Sequence, residues 1–168
     1  MKAIVAVDKE WGIGKKNGLL FSLKKDMDYF RSQTDGKVVC MGYNTLLSFP
    51  KSKPLKNRVN IVLAPPEIER DDCIVTHTLP ELFAVLAAYP TDDVFVIGGA
   101  MFYRTMLDYT SDVLVTKVDA IGGAEVFFED LDKRAGWRCV WESEPVEDNG
   151  YILRFTRYHN DAPLAFGE

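Results

Sequence analysis

Gly12-Ile13-Gly14-Lys15-Lys16-Asn17-Gly18-Leu19-Leu20-Phe21-Ser22-Leu23-Lys24-Lys25-Asp26-Met27-Asp28-Tyr29-Phe30-Arg31 joins two kinds of chain with opposite physics. Its first seven residues hold three glycines and two lysines, a composition that predicts a loop. From Ser22 the pattern turns helical. Ser22 is a cap candidate, and Leu23, Met27 and Phe30 recur at the three-and-four spacing of one apolar face. Asp26 falls one place before Met27 and four before Phe30, so on a helix it points near that face. A carboxylate there costs free energy unless something binds it. Taken alone, it reads as an exposed first-turn acid favoured by the helix dipole; the surrounding chain has to supply another reason for it.

Upstream, residues 2–7 are a continuous apolar run, the mark of a strand buried on both faces. Downstream the same alternation repeats. The helix is expected over about 24–34, and Thr34-Asp35-Gly36 is a turn. Residues 37–41 form a second buried strand that runs into Gly42, then a short helical stretch over 44–48. Phe49 to Pro54 is a basic, proline-broken loop. Residues 58–63 are a third strand stopped by Pro65-Pro66, and Ile74-Val75 is a short one. Thr78-Leu79-Pro80-Glu81 is a capping box with proline in the first turn, opening a helix to about Tyr89 with Leu82, Phe83 and Leu86 inward. A strand over 93–97 leads into Gly98-Gly99, then a helix over about 101–108 and a strand over 112–118. Residues 137–142 and 151–159 read as an antiparallel hairpin at the sheet edge, with its turn at Asp148-Asn149-Gly150.

Strand–helix–strand units followed by a hairpin predict a single α/β domain over residues 1–160. Its mostly parallel mixed sheet has about eight strands, an antiparallel C-terminal hairpin and helices on both faces. Residues 161–168 are expected to be a loose tail. Three strands exit into backbone-exposing turns: Val7 into the glycine loop, Met41 into Gly42, and Ile97 into Gly98-Gly99. In such sheets ligands bind beyond the carboxyl ends of the strands, so one edge should hold a cleft for an extended, phosphate-bearing ligand.

Composition narrows the function classes. The 168 residues are 47% apolar and 27% charged, with a net charge of −5. An acidic balance with well-mixed charges argues against a nucleic-acid binder, which needs a basic face. Cys40, Cys73 and Cys139 are far apart, with only His77 and His159 beside them, so free thiols are expected and a metal site is not. No apolar run has a signal-peptide pattern or membrane-spanning length; a cytoplasmic protein with no membrane partner is expected.

Each candidate motif is weak in isolation. Gly98-Gly99-Ala100, between a buried strand and a helix, lets the backbone approach a phosphate but lacks the full dinucleotide fingerprint. Gly42-Tyr43-Asn44-Thr45 repeats the strand–glycine–helix design, with Thr45 able to cap or to touch phosphate. Arg58 opens a buried strand and could take a carboxylate bidentately or be a solvated strand-end charge. Thr116 is either a hydrogen-bonding partner or a plain β-branched strand residue.

In order and spacing these marks are specific. Ile4-Val5-Ala6-Val7, Gly12-Ile13-Gly14, Leu23-x-x-Asp26-Met27-x-x-Phe30, Met41-Gly42-x-x-Thr45, Leu55-x-x-Arg58-x-Asn60-Ile61-Val62-Leu63, Ile97-Gly98-Gly99-x-x-x-Tyr103 and Thr116 together resemble the dihydrofolate reductase family, of bacterial type, over about residues 1–159. The resemblance implies NADPH-dependent reduction of 7,8-dihydrofolate to tetrahydrofolate. Asp26 would anchor the pterin and promote protonation at N5, Thr116 would hydrogen-bond Asp26, and Phe21 would complete the catalytic site by its ring packing. Ile4, Val5, Ala6, Met27, Phe30, Phe49, Leu55 and Ile97 would line the substrate slot, and Arg58 would hold the glutamate α-carboxylate. Ala6, Ile13, Gly14 and Tyr103 would pack near the nicotinamide. Gly98, Gly99, Ala100 and Met101 would take the pyrophosphate, with Gly42, Tyr43, Asn44 and Thr45 opposite and Leu63 and Ala64 near the adenosine. Residues 12–20 would be the lid.

The chain departs from the family pattern at three places. Leu20-Phe21 replaces the usual Pro-Trp, Tyr43 stands where Arg is usual, and Ala64-Pro65 replaces a hydroxyl and basic pair. The last two are expected to weaken discrimination between NADPH and NADH, with Lys53, Arg70 and His77 as possible substitutes for the lost contacts. A monomer is expected. The competing readings are a reductase of the same fold acting on another pteridine or a riboflavin precursor, and a non-catalytic nucleotide-binding module.

Overall fold

Lys2–Val7 (β1) has no polar side chain after its first residue, so it is stable only with both faces covered. In a computed structural model of the chain, which describes residues 1–16 and 18–166, it lies inside a sheet with parallel neighbours on either side. The glycine-rich segment is not the open loop its composition predicts. Gly12–Lys15 (β2) and Gly18–Leu19 (β3) pair as a short antiparallel hairpin. The helix Lys24–Thr34 (α1) follows as expected. Val38–Gly42 (β4) runs straight into Tyr43–Ser48 (α2). Then come Val59–Leu63 (β5), Ile74–Thr76 (β6) and Leu79–Leu86 (α3). Half of the predicted capping box forms at the head of α3: the Glu81 N–H donates to Thr78 Oγ1 at 3.2 Å, while Glu81 Oε2 accepts at 2.8 Å from the N–H of His77, one residue before the cap.

Val94–Val96 (β7), Ala100–Met106 (α4) and Asp112–Val118 (β8) complete the alternating part. Val126–Phe127 (β9) joins the β2–β3 hairpin as a third strand. Trp137–Glu142 (β10), Val146–Asp148 (β11) and Tyr151–Asn160 (β12) finish the chain. Among the described residues the main sheet runs β10-β12-β8-β1-β7-β4-β5-β6, with β11 beside β12. The pairs from β8 through β6 are parallel and those involving β12 are antiparallel.

The expected edge hairpin is divided. The Asn149-Gly150 turn, with positive φ at both residues, joins β11 to β12, the two-residue connection that matches strand twist. Strand β10 pairs instead with the far half of β12, with a bulge at Val140, so β11 and β10 share that edge along β12.

Alternation along the strands sorts the core onto two faces. Ile4, Val39, Met41, Val62, Phe95 and Leu114 pack under Tyr29 and Phe30 of α1 and Leu46 of α2. Ala3, Val5, Cys40, Ile61, Val96 and Val115 pack with Leu82 and Leu86 of α3 and Phe102 and Met106 of α4. The C-terminal segment, expected to be loose, is anchored. The Leu164 N–H donates to the Asp108 carbonyl at 2.8 Å, and Phe166 stacks on Phe83 with ring centroids 4.7 Å apart. Gly167 and Glu168 lie outside the described residues. No described helix is long and apolar enough to cross a membrane.

Candidate active site

Asp26 sits in the first turn of α1, half-buried, and accepts a hydrogen bond from the hydroxyl of Thr116. Thr116 is buried in β8, directly opposite Ala6 of β1. Burial pushes the Asp26 carboxyl above the usual carboxylate range; the Thr116 hydrogen bond opposes that rise and the charge of Asp148 adds to it. The helix is not started as its sequence suggests. The N-cap is Leu23, whose side chain cannot cap, and Ser22 stays exposed. The cap comes from outside: the Lys25 N–H donates to Asp148 Oδ2 at 2.7 Å. Lys25 Nζ reaches the Glu147 carbonyl at 2.7 Å, and Asn149 Nδ2 reaches the Ser22 carbonyl at 3.1 Å. The β11–β12 turn therefore grips the start of α1, while Phe155 of β12 packs on Tyr29 at 4.3 Å.

The apolar stripe of α1 also differs from the expected one. Leu23 is buried and Phe30 half-buried, but Met27 is 57% exposed and leaves the helix surface beside Asp26 open. Ile4, Phe30, Phe49, Leu55 and Ile97 gather in one cluster on this face of the sheet. Val5 does not join them; strand alternation turns it to the opposite face with α3 and α4. At the far end of α1, Arg58 Nε donates to Thr34 Oγ1 at 3.2 Å and Nη1 to the Lys56 carbonyl at 2.8 Å, with its guanidinium 6.0 Å from the Phe30 ring centroid. These contacts fix the guanidinium in place, next to a hollow of about 580 Å³ lined by Lys53, Leu55, Lys56 and Cys73.

The second half of the site lies where β4 and β7 end. Their ladder continues past the strands, with the Gly42 N–H donating to the Gly98 carbonyl at 2.9 Å. Gly98 has φ +125°, and a Cβ there would lie 3.4 Å from the Tyr103 ring and 3.5 Å from Thr45 Oγ1. The glycine pair thus leaves open, facing Thr45, a space that any side chain would fill. Tyr103 is buried, and its hydroxyl donates to the Ile4 carbonyl at 2.7 Å. Its N–H donates to the Gly99 carbonyl at 2.9 Å. Tyr103 therefore ties the glycine pair to β1, whose Ala6 lies opposite Thr116. Ala100 is half-buried and Met101 is 78% exposed at the head of α4. A hollow of about 290 Å³ opens between Ala100, Tyr103 and Arg104 on one side and Phe127 to Asp130 on the other.

Tyr43 is half-buried and accepts a hydrogen bond from Arg70. Arg70 is held by both oxygens of Asp72, at 2.9 and 2.7 Å, and by the Ser52 carbonyl at 2.7 Å. His77 Nδ1 lies 3.2 Å from the Ala64 carbonyl and 3.0 Å from that of Pro65. Asn44 is exposed, Leu63 half-buried and Ala64 buried. Lys53 is exposed at the rim of the hollow beside Arg58.

The β2–β3 hairpin is docked at its base and its tip. Asp8, 3% exposed, accepts from the N–H groups of Glu10 and Gly12 at 2.8 Å and of Gly122 at 3.0 Å. Glu125 Oε1 accepts from the Lys16 N–H at 2.9 Å, and the Glu125 N–H donates to the Gly14 carbonyl at 2.8 Å. Ile13 is buried, and a Cβ on Gly14 would meet Val126. Asn17, in the same stretch, lies outside the described residues. Phe21 packs edge-on against Tyr151 at 4.8 Å, and a Cβ on Gly122 would come 3.1 Å from its ring.

Sequence reading missed Asp8, Glu125 and the capping role of Asp148. Asp8 carried a weak signal, an acid wedged between a buried strand and a glycine run. The other two act on partners distant in the chain, Glu125 over a separation of 109 residues and Asp148 over 123, so no local pattern reveals them.

The geometry is matched by sequence kinship. The dihydrofolate reductase family model covers residues 1–160. The chain is 31% identical to dihydrofolate reductase of Bacillus subtilis over 158 residues, 92% of this chain and 91% of that one. It is 32% identical to the viral dihydrofolate reductase of Saimiriine herpesvirus 2, over 94% of this chain and 84% of that one. It is 34% identical to a putative dihydrofolate reductase of Caenorhabditis elegans, over 94% and 95%. With an acid on the first helix, a glycine pair beyond the sheet and a family match across nearly its whole length, the chain belongs to the dihydrofolate reductase family.

Proposed function

We propose that the protein reduces 7,8-dihydrofolate to 5,6,7,8-tetrahydrofolate with NADPH, and that Asp26 is its catalytic acid. The observation that carries this is the half-buried carboxylate of Asp26, hydrogen-bonded to Thr116 and pushed upward in proton affinity by burial. A carboxylate so placed accepts two hydrogen bonds from the N3–H and 2-amino edge of a pterin and fixes the ring in one orientation. Its raised proton affinity keeps part of it protonated nearer neutral pH, as the proton source for N5. Ile4, Phe30, Phe49 and Leu55 form the apolar walls, Met27 covers the ring from its open position, and Arg58 takes the glutamate carboxylate.

The residues fit a dinucleotide, because the space a Cβ at Gly98 would fill is left open toward Thr45. Gly98 to Met101 and Thr45 would hold the pyrophosphate, with Ala6 and Ile13 beside the nicotinamide. When bound, the cofactor supplies the hydride. The β2–β3 hairpin excludes water from the reacting rings. NADPH oxidation that depends on dihydrofolate and is blocked by methotrexate tests the reading. Asp26→Asn should bind cofactor normally and lose most turnover at neutral pH; undiminished turnover would remove Asp26 from the chemistry.

Selectivity for the cofactor's 2′-phosphate should be low. Tyr43 and Ala64-Pro65 replace the groups that usually grip it, and Arg70 is already neutralised by Asp72. A lost charge-assisted contact weakens binding by about 1.5–3 kcal/mol. Steady-state kinetics should show NADH used within roughly tenfold to a hundredfold of NADPH in kcat/KM; a much stronger NADPH preference would refute this part. Among the other readings, a riboflavin-precursor reductase has no use for either Asp26 or the anchored Arg58. The monomer remains an expectation, checked by light scattering.

A further inference from the structure

We propose that Asp148, at the end of β11, is a positioning residue for Asp26: it caps α1 from across the fold and holds a negative charge beside the turn that carries the acid. The inference rests on the reading of Asp26 as the catalytic group.

The geometry is specific. Helix α1 has no cap of its own, since Leu23 occupies the N-cap. The Lys25 N–H, one residue before Asp26, points instead at Asp148 Oδ2, 2.7 Å away. The Asp148 backbone is fixed by its pairing with Tyr151 and by the turn that follows. Asn149 holds the Ser22 carbonyl on one side, and Glu147 accepts from Lys25 Nζ on the other. The cation nearest in sequence to Asp26, Lys25, is thereby turned onto the Glu147 carbonyl and not onto the Asp26 carboxylate.

A neutral Ser or Asn would cap the helix as well as Asp does. An ionised carboxylate does more. It stabilises the helix start through the dipole, and it disfavours a second negative charge nearby. The titratable and polar groups that face Asp26 are few. Thr116 donates to it from β8 and lowers its proton affinity. Tyr29 of α1 and Tyr103 of α4 are held protonated, first by burial and then by the charge of Asp26 itself. Asp148 is the one charged group among the causes acting on Asp26, and it works in the same direction as burial.

For a reaction that needs a proton near neutral pH, the sign is favourable: the Asp148 charge keeps more of Asp26 protonated as pH rises. Two devices thus act on one acid. The sheet floor desolvates it, and the β11–β12 turn supplies a like charge that is set by the same contact that orders the helix.

The test is the Asp148→Asn variant, which keeps an oxygen for the Lys25 N–H and removes the charge, with Asp148→Ser as a second neutral cap. Carbon NMR of the side-chain carboxyls reads the Asp26 titration directly in the full chain, its signal assigned by loss in Asp26→Asn. The Asp26 midpoint should fall by about 0.3–1 pH unit in both variants at low ionic strength. The difference from wild type should shrink at about 1 M salt, because the charges are partly screened. The falling limb of hydride transfer against pH should move by the same amount, with KM for dihydrofolate little changed. An unchanged Asp26 midpoint in the neutral variants would overturn the proposal and leave Asp148 as a cap alone. A shifted midpoint in a protein without dihydrofolate-dependent turnover would instead defeat the assignment of function and leave the coupling standing.

Discussion

Asp26 lies in the first turn of α1 and Arg58 contacts its last residue, and each is held in a way that costs the native state something. The raised proton affinity of Asp26 means that the folded protein binds this proton more tightly than the unfolded chain. That contribution is complete below the ordinary carboxylate range and is lost as pH rises through the raised value, where the native state must keep a desolvated charge. Asp26→Asn should therefore melt higher than wild type at neutral pH while losing turnover, and the two should converge in acid. In the wild type, activity should fall as pH climbs through the Asp26 titration. Arg58 is also partly desolvated, and burial lowers its proton affinity although Asp35 opposes this; a guanidinium stays charged throughout. Its hydrogen bonds to Thr34 and Lys56 set its direction before any ligand arrives. Arg58→Leu should raise KM for dihydrofolate about 10- to 100-fold, the range for one charge-assisted pair, with a smaller change in kcat. An equal loss in KM for NADPH would show that the variant had disturbed more than the carboxylate site.

At the scale of elements, the segment proposed as a lid is a hairpin and not a loop, and its registration depends on contacts with the segment around 122–127. Asp8 satisfies three backbone N–H groups at the hairpin's base, and Glu125 exchanges hydrogen bonds with its tip. Gly12 is required there by space. A Cβ would overlap that of Ala124 and come within 2.9 Å of the Asp8 carboxylate. Gly12→Ala should therefore loosen the hairpin at a cost of about 1–3 kcal/mol. The measurement is the rate of tryptic cleavage at Lys15 and Lys16, which should rise well before global unfolding, together with weaker cofactor binding. If cleavage stayed at the wild-type rate, the hairpin would not depend on this packing. Helix α1 teaches the same lesson at its start: its first turn is completed by β11, and an isolated peptide of residues 22–34 would lack both the Asp148 cap and the Tyr29–Phe155 contact.

Across the whole molecule, function and stability are placed at opposite ends of the strands. The site lies beyond the carboxyl ends of β1, β4 and β7. At the amino end of β8, Asp112 is 6% exposed in its side chain and pairs with Arg157 at 2.5 Å and with His159 at 3.3 Å. Burial pushes the Asp112 carboxyl upward, but hydrogen bonds from Arg157 and Ser111 outweigh it and hold the carboxyl below its usual range. A depressed value contributes stability above the unfolded-state titration, and that contribution is lost as pH falls through the folded value. Arg157→Leu should destabilise the protein by about 1–2 kcal/mol at neutral pH, discounted because Arg157 is itself partly exposed. The gap in melting temperature should close as pH falls through the depressed Asp112 titration of the folded wild type, below which Asp112 is protonated with or without Arg157; a gap independent of pH would deny the ion pair its role. It took the resemblance carried by the order of the motifs to single out Asp26, Arg58 and Gly98-Gly99, each of them weak by itself; periodicity and strand-exit glycines were enough to determine the alternating α/β order, the helix over 24–34 and the capped helix at Thr78. Each of those signals is local, because side chains a few residues apart must share a face or a turn. Only the tertiary structure decided that Val5 faces away from the slot, that the glycine run pairs as a hairpin, that Phe166 anchors the tail, and that Asp148 caps the helix of Asp26. Those facts depend on which distant segments meet, and pairing across more than a hundred residues leaves no period in the chain to read.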